Sequence, residues 1–377
     1  MLKYLPYVRK NVFGHRVRTA MTVAGTALLM FLFLFVSSIQ EGLDRLLSGR
    51  DDRLIVYQAY RFCPPSSQLP VFYDEAIRDV PGVRDVLPVK VVVSNCRASL
   101  DTVVFNGVDP KRLPAARGHF RFLSGDWSSF QARTDAALVG RRIAERRGLR
   151  PGQSFTAAGV TVQVAGVFAS DATGEENVIY THLPLLLNQK HHEEFHVTLF
   201  EVALADPDQA ESVAAAIDAK VKSRFQVPTE TKPQKAHYQT ALADLLDLIG
   251  MTRWLGLVCV GVVLVLVANS VVMAAQDRVK EHAVLQTIGY SGPRIFSLML
   301  AESCLIAVVG GLVGIAGCVA WLVWQPLAIS TEGVSIDFVA SPQLATWGLG
   351  LSLVVGLLAG LVPAWQAGRA EIVTSLR

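Results

Sequence analysis

Four long, mainly apolar stretches, uncharged apart from Glu302, punctuate this chain: 19–40, 254–276, 295–324 and 343–366. About 20 such residues in a helix cross the roughly 30 Å hydrocarbon core of a bilayer. Residues 41–253 separate the first stretch from the other three and carry mixed polar and apolar sequence. With 51% hydrophobic residues overall, so uneven a distribution describes a membrane protein with one large water-facing insert, not a soluble globule. The predicted fold class is an α-helical integral membrane protein. It has four transmembrane helices and a mixed α/β extracytoplasmic domain inserted between helices 1 and 2.

Basic residues near the short segments set the orientation. Lys3, Arg9, Lys10, Arg16 and Arg18 precede the first stretch, Arg278, Lys280 and Arg294 follow the second, and Arg369 and Arg377 follow the fourth. The short loop 325–342 has Glu332 and Asp337 but no Lys or Arg. Both termini and residues 277–294 are therefore expected in the cytosol, with 41–253 outside. The first apolar run is long for a cleaved signal and no Ala-x-Ala-like site closes it, so it reads as an uncleaved anchor. Residues 1–18 interleave Leu2, Leu5, Val8, Val12 and Phe13 with basic residues, as an amphipathic cytosolic segment on the inner leaflet does. The tail is 367–377.

Glycines interrupt the last two apolar stretches. Gly310, Gly311, Gly314, Gly317, Gly356 and Gly360 are expected to be packing faces, because small residues let helices approach closely in a membrane. Of five cysteines, Cys259, Cys304 and Cys318 fall in apolar stretches. Cys63 and Cys96 fall in the insert, where an oxidising compartment permits a disulfide between them; two buried thiols is the alternative.

The insert reads as α/β. Segments 53–58, 86–94, 102–108, 155–168 and 196–205 have strand character. Segments 73–80 and 137–148 have helical pattern, and 208–225 is amphipathic, with Val213, Ile217, Val221 and Phe225 at spacing four. Residues 238–253 form another amphipathic run leading into the second apolar stretch without a breaker, the pattern of a stalk helix.

No Walker A pattern or other glycine-rich nucleotide loop occurs in these residues, so any ATP and Mg would sit on a partner ATPase subunit, and no cofactor is assigned to this chain. The net charge of +3 with no single basic patch gives no reason to expect nucleic acid. His192-Glu193-Glu194-Phe195-His196 fits the H-E-x-x-H zinc-protease pattern, which requires both histidines on one helix face. Here a strand-like run starts directly after His196 and no supported third ligand follows, so a polar loop before a strand is the plainer reading. Glu302 lies two turns from Arg294, near the inner interface, where a local hydrogen bond accounts for it.

The charged segment between the second and third stretches reads Arg278-Val279-Lys280-Glu281-His282-Ala283-Val284-Leu285-Gln286-Thr287-Ile288-Gly289-Tyr290. It resembles the R-x-x-E-[IV]-x-[LVT]-x-[KR]-[AT]-[IL]-G segment of the MacB/FtsX-type ABC transporter permeases, departing from it at His282 and Gln286. Glu302-Ser303 looks like that family's glutamate of the third helix. Gly360-Leu361-Val362-Pro363-Ala364 with Arg369, and the close Ser375-Leu376-Arg377, are similar to its C-terminal segment. Phe105-Asn106-Gly107-Val108-Asp109-Pro110, Leu138–Ala144 and Val164–Phe168 are similar to its MacB-like periplasmic core domain.

The resemblance implies four spanning helices and a coupling helix that contacts a cytosolic ABC ATPase subunit. Arg278, Val279, Lys280, Glu281, Ala283, Leu285, Ile288 and Gly289 would form it. It also implies a second permease copy or a paralogue, a periplasmic adaptor or ligand, and a bacterial inner-membrane location. ATP-driven movement of the external domain would then export or extract a lipid, lipoprotein or hydrophobic compound. An FtsX-like platform that controls a periplasmic cell-wall hydrolase is the alternative implied by the same resemblance.

Overall fold

The computed structural model describes residues 16–47, 52–61, 66–94, 102–170, 172, 174–188, 195–277, 291–325, 327–331 and 334–369. The chain divides into two compact units. One comprises Met1–Gln40, Leu248–Trp324 and Val339–Arg377; the other comprises Glu41–Asp247 and Gln325–Phe338.

Helix α1 (Arg16–Leu47) opens the described chain, followed by β1 (Arg53–Gln58), β2 (Leu69–Pro70), α2 (Tyr73–Arg78), β3 (Val83–Val93) and β4 (Val104–Val108). Next come α3 (Leu113–Ala116), β5 (Arg121–Ser124), α4 (Trp127–Gln131), β6 (Ala136–Gly140), α5 (Arg141–Arg147), β7 (Ser154–Ala157) and β8 (Val160–Ala169). A 3-10 turn (Glu175–Asn177) leads into β9 (Val178–His182), then α6 (Leu183–Leu187), β10 (His196–Val197), β11 (Leu199–Leu204), α7 (Ala210–Arg224) and β12 (Thr229–Pro233). The described residues close with α8 (Gln234–Ala241), α9 (Ala243–Asp277), α10 (Gly292–Trp324), β13 (Ala328–Thr331), β14 (Val334–Asp337) and α11 (Pro342–Arg369).

Among the described residues, three helices are long and apolar enough to cross a membrane: Thr19–Leu47 in α1, Gly292–Trp324 and Pro342–Gln366. The second apolar stretch of the sequence lies in α9, where Gly256–Asn269 is a shorter apolar segment.

The α/β unit is built on one sheet in the order β12-β1-β11-β3-β4-β9-β6-β8-β5, with β7 beside β8. Strand β3 joins its halves. Residues from Val83 to Val89 pair with β11, and Lys90 to Val93 pair with β4. Pro88, which has no N–H to donate, sits where β3 has only β11 as a ladder partner. The β4–β9 and β6–β8 pairs are parallel. Against the first half, α7 buries Val213, Ile217 and Val221 alongside Phe200 and Val202 of β11. Each such side chain contributes roughly 1.5–3 kcal/mol by leaving water. A second core joins Ile143 and Ala144 of α5 to β6, β8 and β9, and a third, aromatic core stacks Phe120 on Phe168 with Tyr180 at its edge.

Several segments differ from their sequence reading. The helical pattern at 137–148 is strand β6 followed by helix α5. Ala136–Gly140 is buried at every position between β8 and β9, and a strand buried on both faces loses the alternation that would mark it. The strand expected at 155–168 is a hairpin whose turn, Ala158-Gly159, has positive φ at both positions. A two-residue turn of that type matches the strand twist. The strand at 196–205 is interrupted at Thr198, whose N–H donates to Val89 and whose hydroxyl accepts from Val91. The run 238–253 is divided at Leu242 between α8 and α9. The short loop 325–342 contains the hairpin β13–β14.

Candidate functional site

Helix α9 ends at Asp277 and α10 begins at Gly292. The predicted contact residues between them, Arg278, Val279, Lys280, Glu281, Ala283, Leu285, Ile288 and Gly289, lie outside the described residues, as do Cys63, Cys96 and residues 1–15. On the far flank the Ser291 carbonyl accepts from the Arg294 N–H at 2.8 Å, which starts α10 with Pro293 in its first turn. His196 lies in β10, paired with Pro70 of β2, so the second histidine of the H-E-x-x-H pattern stands on a strand.

In the helical unit the glycines sit where neighbours come closest. A Cβ on Gly310 would meet Thr26 and Val23 of α1, and one on Gly314 would run into the backbone of Ala27. Gly311 faces Ser352 of α11; Gly356 faces Ala307 and Cys304, and Gly360 faces Ser303. The Ser303 hydroxyl donates across the contact to the Gly356 carbonyl at 2.9 Å. Helix α10 is thus held between α1 and α11 by small residues and a hydroxyl, the packing that works where no hydrophobic difference drives association.

The α/β unit carries its charge inside. Arg117, just after α3, is buried and donates through Nη2 to both carboxylate oxygens of Glu201 at 2.9 and 2.7 Å. Its Nε lies 3.2 Å from Glu175 and donates to the Tyr180 hydroxyl at 3.3 Å. Arg53 stands 3.7 Å from Glu201 and donates to the Ala116 carbonyl at 2.9 Å. Glu175 is also met by His119 Nε2 at 2.8 Å and by the Ser170 hydroxyl at 2.6 Å. Burial pushes the Glu175 carboxyl up, but the His119 contact, the Arg117 charge and the Ser170 hydroxyl outweigh it and hold it below the usual range. Burial likewise opposes charge on Arg117, and Glu201, Tyr180 and Glu175 reverse that effect, so its guanidinium stays charged. The group ties β1 and β11 to β9 and the 3-10 turn.

The next two residues of that turn face another way. Glu176 accepts from Arg141 at 2.9 and 3.2 Å and from the Ser170 N–H at 3.0 Å. Asn177 Nδ2 donates to Asp337 of the β13–β14 hairpin at 2.5 Å. Arg142 lies 3.6 Å from Glu176 and 3.5 Å from Asp337. A Cβ on Gly140 would strike the Glu176 backbone, so only glycine lets the turn lie across the end of β6. Sequence reasoning missed this group. Its signal was the polar triplet Glu175-Glu176-Asn177 before an apolar run, and Asp337 was counted only as a topology marker.

Residues 19–220 match the MacB-like periplasmic core domain family, and residues 253–372 match the FtsX-like permease C-terminal family. The chain is 23% identical, over 98% of its own length and 44% of the relative's, to an uncharacterized ABC transporter permease protein of Mycobacterium tuberculosis. It is 23% identical, over 96% of its length and 57% of the relative's, to the pyoverdine export ATP-binding/permease protein PvdT of Pseudomonas fluorescens. Over 40% of its length and 38% of the relative's it is 30% identical to the lipoprotein-releasing system transmembrane protein LolC of Haemophilus influenzae. The chain spans about half the length of the curated relatives it matches end to end. A solved structure, the periplasmic region of MacB from Actinobacillus actinomycetemcomitans, matches 54% of this chain and 96% of that one at 11% identity with a TM-score of 0.38.

Proposed function

The chain belongs to the ABC transporter permeases that join a MacB-like periplasmic core domain to an FtsX-like permease domain, and from that premise we propose that it is a transport subunit driven by a separate ATPase chain. The observation that carries this reading is the span of the two family matches, which together run from residue 19 to residue 372. ATP and Mg belong to the partner. Four helices cross the membrane, α9 supplying the second crossing, and the α/β unit lies outside the cytosol. The 277–290 segment is the joint to the ATPase, with Val279, Ala283 and Ile288 as its apolar contact and Arg278, Lys280 and Glu281 as its polar rim. So small a contact concentrates its energy in a few residues. Gly289 ends the coupling helix. A second permease copy or paralogue completes the membrane part. Gly310, Gly311, Gly314, Gly356 and Gly360 are its internal packing surface.

Relatives are named for export of pyoverdine and for release of lipoproteins. Release of lipoproteins fits a chain that acts on a lipid-bearing substrate from the outer side of the membrane. We assign this chain the class lipid, lipoprotein or hydrophobic compound. The reading is tested by reconstituting the full chain in lipid nanodiscs with an ATPase subunit encoded beside it. ATP turnover by the ATPase should change when the permease is added. An ATPase that neither binds the chain nor changes its turnover contradicts the assignment.

A further inference from the structure

The β13–β14 hairpin ends on Asp337, whose side chain is almost wholly buried. Asp337 receives the Asn177 amide N–H at 2.5 Å and the backbone N–H of Gly174. Arg142 Nε stands 3.5 Å away, too far and too poorly placed for a full hydrogen bond. A second carboxylate, Glu176, competes for the same guanidinium at 3.6 Å and has Arg141 at 2.9 Å. The third carboxylate of the turn, Glu175, is committed to Arg117, His119 and Ser170. Glu145 lies farther along α5, beside Arg141. At the end of α1, Gly42 is pressed against the Asp337 carbonyl, and the charged residues there are Glu41, Asp44 and Arg45, of which Glu41 and Arg45 pair with each other at 3.0 Å. The described residues of the hairpin add only the Ser330 and Ser335 hydroxyls, bonded to one another at 2.6 Å.

One acceptor in this group has no donor. Asn177 Oδ1 is buried and accepts no hydrogen bond. An orphaned buried acceptor costs about 1–3 kcal/mol. An ionised Asp337 cannot relieve it, because a carboxylate only accepts; a carboxylic acid can, because it carries one O–H. Protonated Asp337 and the Asn177 amide would form a two-bond ring, N–H to one carboxyl oxygen and O–H to the amide oxygen.

We propose that Asp337 takes up a proton when the hairpin is docked, and that the acid–amide pair Asp337–Asn177 is a proton-sensitive catch holding β13–β14 to the α/β unit. The ligand is a proton from the compartment the α/β unit faces. The inference rests on geometry inside that unit and not on the identity of the ATPase or cargo. Burial raises the Asp337 carboxyl above its ordinary range; Arg142, the Asn177 amide and the Gly174 N–H oppose this, and Glu176 reinforces it. A carboxyl raised in the docked state gains stability that is fully present below its undocked pKa and is lost as pH rises through the docked value. The catch therefore tightens in acid and loosens toward neutrality.

Hydrogen exchange of the amides at 174–177 and 334–337, in the full chain in nanodiscs, reads this directly. Wild type and Asp337→Asn are compared at the same pH, about 3 and about 7.5, so that intrinsic exchange chemistry cancels and the acid arm lies below the ordinary Asp value of 3.8. The asparagine is neutral at both pH values and can donate to Asn177 Oδ1. Protection should be nearly equal at the lower pH. At the higher pH wild type should be about threefold or more less protected, because the ionised carboxylate leaves Asn177 Oδ1 without a donor. The same ratio at both pH values, or a variant less protected than wild type at the higher pH, overturns the proposal. Arg142→Gln gives a second reading even if Asp337→Asn does not fold. Arg142 favours the ionised form, so its loss should cost more protection at about pH 7.5 than at about 3. Equal losses at the two pH values overturn the proposal.

Discussion

Arg117 and His237 show how single buried residues set the tolerances of the α/β unit. Arg117 is the one cation that touches both Glu201 and Glu175 within 3.2 Å among the described residues. Removing one partner of a buried ion group leaves the other charges uncompensated, typically at 3–5 kcal/mol. Arg117→Met should lower the stability of the α/β unit by about that much, read from thermal unfolding and from exchange in β9 and β11. Arg117→Lys should recover only part of the loss, because an ammonium cannot serve Glu201 with a planar fork. A melting point unchanged in Arg117→Met would show the cluster to be energetically idle. His237 of α8 is buried against Tyr57, ring centroids 5.0 Å apart, and its Nδ1 has no hydrogen-bond partner. Burial, aided by the Lys232 charge and opposed by Glu230, lowers its pKa from 6.5 to about 4. The neutral ring is the folded form. Stability is therefore full above about pH 6.5 and falls as pH drops toward about 4, by at most about 3 kcal/mol. Exchange protection of β12 and α8 should follow that slope, and His237→Phe should flatten it. An equally steep slope in the variant would assign the acid sensitivity to another group. This effect runs opposite in pH to the Asp337 catch and belongs to a different segment.

At the scale of elements, close approach separates the glycines of α10 from one another. Gly314 has the Ala27 backbone where a Cβ would go, whereas Gly317 has only the Phe31 ring edge at 3.8 Å. Gly314→Ala should cost roughly 1–3 kcal/mol by overpacking, and Gly317→Ala should be neutral or slightly stabilising. Melting of the two variants side by side in detergent tests this; equal effects would remove the packing argument. The same elements show what was readable in the chain. The three apolar helices were legible because their signal is length and lack of charge, which tertiary context cannot erase. Helix α7 was legible because Val213, Ile217 and Val221 repeat at the helical period while Lys220, Lys222 and Arg224 fall off that face. Strand β6 was not, because Ala136–Gly140 is buried on both faces and offers no alternation. The β7–β8 turn was hidden because Ala158 has φ 52 without the Asn or Asp that usually marks such a position. The hairpin after α10 was missed because the meaning of Asp337 depends on Asn177, 160 residues away.

For the whole molecule, the proposed topology has the α/β unit and the β13–β14 hairpin outside and the 277–294 segment inside. A membrane-impermeant reagent should label a cysteine introduced at Arg133 on intact cells and should reach one introduced at Ser291 only after permeabilisation. Labelling of Ser291→Cys from outside would invert the topology. The central claim is that the segment between α9 and α10 grips an ATPase. A solvated loop whose Arg and Lys only enforce topology would look the same in sequence. Glu281→Lys and Ala283→Asp separate the two readings, since neither lowers the number of basic residues. The most direct measurement is ATP turnover by the ATPase reconstituted with each variant, alongside its co-purification with the chain. The account predicts that both variants insert normally yet lose ATPase binding or permease-dependent turnover; normal binding and turnover in both would contradict it.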